Sequence, residues 1–305
     1  MKVLYNEYST YLKAKYGEKV YKLPINIPVT CPNRDGTISY GGCTFCAQNG
    51  TGFEMLDNSI SVKEQLRRNM EYISKKYKAN KFIAYFQNYT NTYLELDRFQ
   101  KYVNEAIVEG IVEICISTRP DCIGDEYLEI LYEVQKEKNI NISIELGLQT
   151  VNYHTLIDIN RGHTLAEFLD AAMRIKKYGF VICAHVILNL PGDNIDDVRE
   201  TAKILSIMKV DQVKLHSLYI MEDTVMGELY KKNEISLISK DEYVHRVIEF
   251  LENLNKDIVV QRLIGRAPKE NSLFVNWGIS WWKIKDEILC KMEKQGSYQG
   301  KKRCK

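Results

Sequence analysis

Proline is scarce, six in 305 residues, and glycine reaches only 17; collagen-like, proline-rich and other low-complexity chains are thereby excluded. Long apolar runs are missing as well. None approaches the roughly 20 residues that cross a bilayer, and the opening segment, MKVLYNEYSTYLKAKYG, has no apolar core of a secretory signal. A cytoplasmic protein without a membrane partner is expected. Nor does one charge dominate: 42 Lys and Arg against 40 Asp and Glu leave a formal +2, so bulk charge demands no polyanionic partner.

What is present is a chain 45% hydrophobic and 27% charged, long enough for one large α/β domain or two ordinary ones. The basic residues gather in two places. Lys63, Arg67, Arg68, Lys75, Lys76, Lys78 and Lys81 form one cluster; Lys283, Lys285, Lys291, Lys294, Lys301, Lys302, Arg303 and Lys305 form a second. Such patches can bind phosphates, and solvated helix faces with a basic tail account for them equally well.

Apolar, β-rich runs alternate with amphipathic stretches from residue 20 onward. Strands are expected at 23–29, 82–86, 112–117, 141–148, 180–190 and 212–220, and helices at 62–76, 96–109, 126–138, 165–178 and 196–208. Val62, Leu66, Met70 and Ile73 keep the helical period, while Gly110 and Gly179 stand at helix stops. Regular alternation implies parallel strands joined by right-handed crossovers. Six units suit an α/β fold of the incomplete (β/α)6 TIM-type barrel better than a full eightfold one; a doubly wound open sheet is the rival. In both, the strand ends and following loops form the active face. The expected organisation is an N-terminal extension (1–20), a partial barrel (21–265), and a small C-terminal extension (266–305) with three tryptophans and the basic tail. Residues 258–266 read as one further strand.

Eight cysteines in a cytoplasmic chain should stay reduced. Cys115, Cys122, Cys183, Cys290 and Cys304 stand singly, and Cys115 and Cys183, inside apolar runs, read as small buried hydrophobes. The other three follow the first strand directly, as Cys31-Pro-Asn-Arg-Asp-Gly-Thr-Ile-Ser-Tyr-Gly-Gly-Cys43-Thr-Phe-Cys46. A Cys-x-x-Cys pair lets two thiolates reach one metal site, and Gly36, Gly41 and Gly42 let the loop bring Cys31 back. A structural zinc needs a fourth ligand, yet the next histidine after Cys46 is His154. A dithiol redox pair leaves Cys31 without a task. Three structural thiols in one glycine-containing loop are a third option. The fourth is an iron–sulfur cluster on three thiolates, with one iron left open.

A strand followed by Cys, then a glycine-containing loop closing with Cys-x-aromatic-Cys, resembles the radical S-adenosylmethionine (SAM) superfamily. The wide spacing before Cys43 is similar to the branch that holds the elongator catalytic subunit and the YhcC/YtqA group. Tyr85-Phe-Gln-Asn-Tyr-Thr-Asn-Thr-Tyr93, Ser117-Thr-Arg-Pro-Asp-Cys122, Glu145-Leu-Gly-Leu-Gln-Thr150, Asn160-Arg-Gly-His163 and Lys214-Leu-His-Ser-Leu218 look like segments of that group, in the same order.

The resemblance implies a [4Fe–4S] cluster held by Cys31, Cys43 and Cys46, SAM as cofactor, and an electron donor such as flavodoxin or ferredoxin. It places Phe45 near the adenine, and Gln87 and Asn88 near the SAM amino end. Glu145 and Gln149 share one face of a strand and could meet the ribose or amino group; a carboxylate inside an apolar strand calls for a cation or ligand. Arg119 could pair with a carboxylate. His185 and His216 lie on strands, as catalytic groups facing the barrel or as satisfied core histidines. Asn189 stands where group relatives often carry Gly, which bears on the backbone approach to adenine. Membership of the YtqA branch implies transfer RNA as partner and conversion of carboxymethylaminomethyl to aminomethyl at C5 of the wobble uridine, with Arg119 or Arg161 gripping the carboxylate. The chain has no acetyltransferase segment, so acetyl transfer of the elongator type is not expected. A small-metabolite radical SAM enzyme and a non-catalytic iron–sulfur redox sensor are the alternatives.

Overall fold

Gln65 decides where the first strand ends. Its side chain accepts from the Asn26 backbone N–H (2.9 Å) and donates to the Asn26 carbonyl (2.8 Å), taking the ladder bonds that a longer strand would need. The computed structural model, which describes residues 3–47, 55–266 and 270–303, therefore has β1 at Val20–Ile25 rather than at 23–29. Helix α1 (Tyr8–Tyr16) precedes it. The units that follow are α2 (Val62–Tyr77), β2 (Lys81–Phe86), α3 (Leu96–Glu105), β3 (Ile111–Thr118), α4 (Asp125–Lys138), β4 (Asn141–Gln149), α5 (Tyr153–Asp158), α6 (Leu165–Lys177), β5 (Val181–Ile187), α7 (Ile195–Ile207) and β6 (Gln212–His216).

The run expected at 212–220 is split. Leu218 N–H is held by the Asn189 side-chain oxygen (2.6 Å), and Ile220–Met221 (β7) pairs antiparallel with Ser272–Phe274 (β9). Helices α8 (Val225–Lys231) and α9 (Lys240–Asn253) lead to β8 (Val259–Arg262), and α10 (Trp281–Lys294) follows β9. The anticipated last strand thus exists, shortened. β5 also stops at Ile187, short of the expected Leu190.

Seven parallel strands run in the order β1-β2-β3-β4-β5-β6-β8. The sheet curls: Lys22 on β1 reaches Gln261 on β8 (3.1 Å) and Glu145 on β4. The fold is the incomplete barrel that six strand–helix units imply, with one strand added beyond β6. Outward strand residues such as Ile114, Ile116, Ile144 and Leu146 pack with Leu66, Phe99, Leu131, Phe168 and Leu205 of the surrounding helices. Capping boxes at Thr164–Glu167 and Asn194–Asp197 start α6 and α7. Cys115 and Cys183 are fully buried, as expected of small hydrophobes; Cys304 lies outside the described residues. Among the described residues no helix is long and apolar enough to cross a membrane.

Candidate active site

The inward faces of the strands and the loop after β1 enclose a cavity of about 670 Å³. Cys31, Cys43 and Cys46 all line it. Short backbone bonds fold their loop: Arg34 N–H to the Cys31 carbonyl (2.8 Å), Gly42 to Asn33 (2.8 Å) and Cys46 to Cys43 (2.9 Å). The segment after α5 clamps the loop from beneath. Thr44 N–H meets the Ile159 carbonyl (3.0 Å), and Asn160 Nδ2 donates to the Gly42 carbonyl (2.9 Å) and to Ser39 Oγ (3.0 Å). Gly162 makes the approach possible: its φ is +75°, and a Cβ there would lie 2.7 Å from Asn33 Oδ1.

Each thiol has its own guanidinium. Arg34 Nη2 is 3.2 Å from Cys46 Sγ, Arg161 Nη1 is 3.6 Å from Cys43 Sγ, and Arg119 Nη1 is 4.0 Å from Cys31 Sγ. Asn33 Nδ2 adds a second donor to Cys43 at 3.7 Å. Burial and the neighbouring Cys43 push the Cys46 thiol up, and Arg34 opposes them. Gly147 leaves the room for Arg161, since a Cβ at 147 would stand 2.6 Å from its Nη2.

Deeper in the barrel lies a polar floor. Glu145, 1% exposed, accepts from Lys22 Nζ, Lys214 Nζ (2.9 Å), Tyr85 Oη (2.6 Å), Ser117 Oγ (3.3 Å) and His185 Nε2 (2.8 Å). Burial alone would raise this carboxyl; Lys214, Lys22 and His185 override it and hold it well below the usual carboxylate range. Burial depresses His185 to about 4 against the pull of Glu145. Burial, then the Arg262 cation, holds His216 well below the usual range. Both imidazoles are therefore neutral near pH 7, and their rings lie 5.0 Å apart.

The residues expected from the sequence divide between the cavity and its surroundings. Phe45, Gln87, Arg119, Glu145, Gln149, His185 and His216 line the cavity with the three cysteines. Asn88 and Asn189 are not among the lining residues. Asn88 Nδ2 faces Asn26 (3.4 Å), and Asn189 spends its oxygen on Leu218 N–H, its Nδ2 having no hydrogen-bond partner among the described residues. Glu145 has its cations, but both oxygens are already occupied by protein donors. Arg119 is gripped in a fork by Asp121 (2.9 and 2.7 Å) and donates to the Arg161 carbonyl (2.9 Å). Sequence reasoning passed over Arg34, Lys22 and Arg262. The available signal was a charge within an apolar strand, as in VYKLPI (20–25) and VVQR (259–262).

Residues 25–205 match the Radical SAM superfamily and residues 210–294 the Radical_SAM C-terminal domain. The chain belongs to the radical SAM superfamily. YtqA of Bacillus subtilis is 33% identical over 298 residues, 97% of this chain and 92% of that protein. A tRNA uridine(34) acetyltransferase of Methanocaldococcus jannaschii is 25% identical over 162 residues, 52% of this chain and 29% of that protein. Among solved structures, Elp3 of Methanocaldococcus infernus, with an N-terminal deletion, has a TM-score of 0.71 at 18% identity; this chain spans 64% of it, and 92% of this chain is covered. That likeness is one of fold.

Radical SAM enzymes use a [4Fe–4S] cluster and SAM. The residues present fit such a group. Three thiols share one cavity wall, no fourth thiol lines it among the described residues, and a guanidinium faces each sulfur. Donors to sulfur stabilise an anionic cluster.

Proposed function

We propose that the protein is a radical SAM enzyme of transfer RNA modification, converting the carboxymethylaminomethyl group at C5 of the wobble uridine to aminomethyl. The observation that carries the reading is a barrel cavity lined by three thiols and by more cationic than anionic side chains. Similarity to a protein named for uridine 34 of tRNA points to the same kind of substrate.

In this reading Cys31, Cys43 and Cys46 hold the cluster, while Arg34, Arg161 and Arg119 brace the sulfurs and offset their charge. When bound, the cluster and SAM supply a 5′-deoxyadenosyl radical. Gln87 and Gln149, at the mouth, offer amide donors and acceptors to SAM, and Phe45 offers an aromatic wall to its adenine. The hydrogen to be removed would be on the CH₂ between amine and carboxylate; the carbon radical left would pass one electron to an acceptor of the flavodoxin or ferredoxin type, and water would split the resulting imine into the aminomethyl group and glyoxylate. His185 and His216, neutral and half-buried, orient groups in the cavity without adding charge. The barrel walls keep water from a radical that would attack most C–H bonds.

An RNA-contacting face is supported at α10. Trp281 and Trp282 are exposed, Lys283 Nζ sits 5.5 Å over the Trp282 ring, and Lys283, Lys291 and Lys294 form no ion pair among the described residues. On α2, by contrast, Arg67, Arg68 and Lys75 are neutralised by Glu64 and Glu71. Nucleoside analysis of transfer RNA from a strain lacking the protein tests the proposal. Carboxymethylaminomethyluridine should accumulate and aminomethyl products vanish; an unchanged profile refutes it.

A further inference from the structure

The two arginines that the sequence offered for gripping a substrate carboxylate are engaged elsewhere. Arg119 is held by Asp121, and Arg161 by His163 (2.8 Å), the Gly147 carbonyl (3.1 Å) and Cys43. A third arginine in the cavity, Arg262, also meets a histidine and a carbonyl, but it keeps one terminal nitrogen unengaged among the described residues. Arg262 projects from β8, where it is in register with Lys214 of β6. Its Nε donates weakly to the Leu215 carbonyl (3.3 Å), and its Nη2 lies 2.6 Å from His216 Nδ1 and 3.3 Å from Nε2. No carboxylate is within ion-pair distance among the described residues, and Nη1 has no hydrogen-bond partner among them.

Arg262 is half-buried and lines the cavity, so a guanidinium without a counter-charge stands where an anionic ligand would meet it. Burial depresses Arg262 below the usual arginine range, despite Tyr85 and Glu145 nearby. The neighbourhood does not neutralise it. Lys22, Lys214 and Arg262 face a single carboxylate, Glu145, and the adjoining His216 is neutral. Gly265 keeps the approach open: a Cβ there would come within 3.3 Å of Arg262 Nη2. Ser217, Tyr219 and Arg266 line the same end of the cavity.

We infer that Arg262, backed by His216, is a carboxylate-binding subsite for the substrate inside the barrel. That the carboxylate belongs to a modified uridine rests on the function proposed above; that the subsite takes a carboxylate does not. The planar fork of arginine matches a carboxylate with two parallel donors, which lysine cannot reproduce. Neutral His216 accepts from Nη2 and fixes the plane of the fork, which leaves Nη1, unpartnered among the described residues, for the ligand. Such a grip would hold the glycine-like end of the side chain and set the adjacent CH₂ for hydrogen removal.

The test uses the cluster-loaded enzyme and its Arg262→Gln and Arg262→Lys variants, with iron content and circular dichroism confirming that each is folded and loaded. On transfer RNA bearing the carboxymethylaminomethyl group, Arg262→Gln should raise KM on the order of 10- to 100-fold, the range expected for a charge-assisted hydrogen bond. Arg262→Lys should fall between. Affinity for SAM should stay within about twofold, since the SAM carboxylate is assigned to the cluster end. An unchanged KM overturns the subsite. A loss of SAM affinity by the same factor assigns the carboxylate to SAM and overturns it equally. Independently of any RNA, N-methylglycine should raise the melting temperature of the wild type more than N-methylglycinamide does, and this difference should vanish in Arg262→Gln. If it does so while the wild type fails to turn over the RNA, the subsite stands and only the substrate reading falls. If both proteins respond alike, the subsite falls.

Discussion

Glu145→Gln exchanges one oxygen for an amide in a side chain whose two oxygens meet five protein donors. Among the described residues, the charge lost is the one carboxylate that pairs with the Lys22 and Lys214 ammonium groups. Removing one member of a buried ion pair costs about 3–5 kcal/mol, because the partner stays buried and unpaired. Burial already brings Lys214 below its usual range, so it can shed its proton once the carboxylate is gone, and the lower end of that interval applies. With unfolding entropy of about 2.1 cal/mol/K per residue, a 305-residue chain loses roughly 1.5 °C of melting temperature per kcal/mol. The expected fall is about 5 °C at pH 7, read by circular dichroism on the cluster-free protein. The pH dependence adds a sign. Glu145 is held well below its unfolded value, so its contribution is complete above a pH of about 4.3 and lost as pH falls through the folded value. Gln has nothing to lose there. The gap between wild type and variant, followed by urea unfolding, should narrow below that pH. Equal stability at pH 7, or a gap that persists undiminished into acid, would refute the assignment of Glu145 as an ionised counter-charge.

Anaerobic reconstitution should give about four irons per chain, and Cys43→Ala should lose them; full iron in that variant removes Cys43 from the ligand set. Arg34→Gln takes away the cation 3.2 Å from Cys46 Sγ and should make the cluster harder to reduce. The shift is about 60 mV for each 1.4 kcal/mol of lost interaction, measured by EPR redox titration; Arg34→Lys should recover part of it, and an unmoved potential ends the idea of sulfur bracing. Replacing Lys283, Lys291 and Lys294 together by Ala should weaken tRNA binding and flatten its log–log salt dependence by about 2–3. An unaltered slope would move the RNA to another face.

The strand–helix order was legible because parallel strands buried on both faces read as continuous apolar runs. Their ends were not, because side chains distant in sequence set them: Gln65 of α2 closes β1, and Asn189 draws Leu218 out of β6. The three cysteines were legible for a local reason, a spacing that lets one loop converge. Their arginines were harder to see. Arg119 and Arg161 arrive on the loops after β3 and after α5, and only the curl of the sheet brings them to the thiols. A charge inside the apolar run 141–148 announced that Glu145 needed a cation. Its partners, Lys22 and Lys214, come from β1 and β6, and no local pattern names them. Arg119 looked free as an isolated cation after a strand, whereas Asp121, two residues on, already holds it.

Helix α1 bears on the chemistry through the one gap that the sheet leaves. β1 and β8 share no ladder, and beside the Lys22–Gln261 contact the seam would open the cavity sideways. α1 lies there. Glu7, just before it, bridges to Val260 of β8, Tyr8 faces the cavity with its ring 5.4 Å from Lys22 Nζ, and Tyr16 and Lys15 both contact Glu113 of β3. Leu12 is the helix's buried anchor, 5% exposed against Val20, Ile83, Tyr85 and Cys115. Leu12→Ala should cost about 2–5 kcal/mol by leaving a cavity among these side chains. Because that void adjoins the Lys22–Tyr85 wall, the variant should also release more 5′-deoxyadenosine per product formed, as the radical is quenched from the side. A variant that loses stability but keeps wild-type coupling would show that α1 is a strut and that the seam is sealed by Lys22 and Gln261 alone.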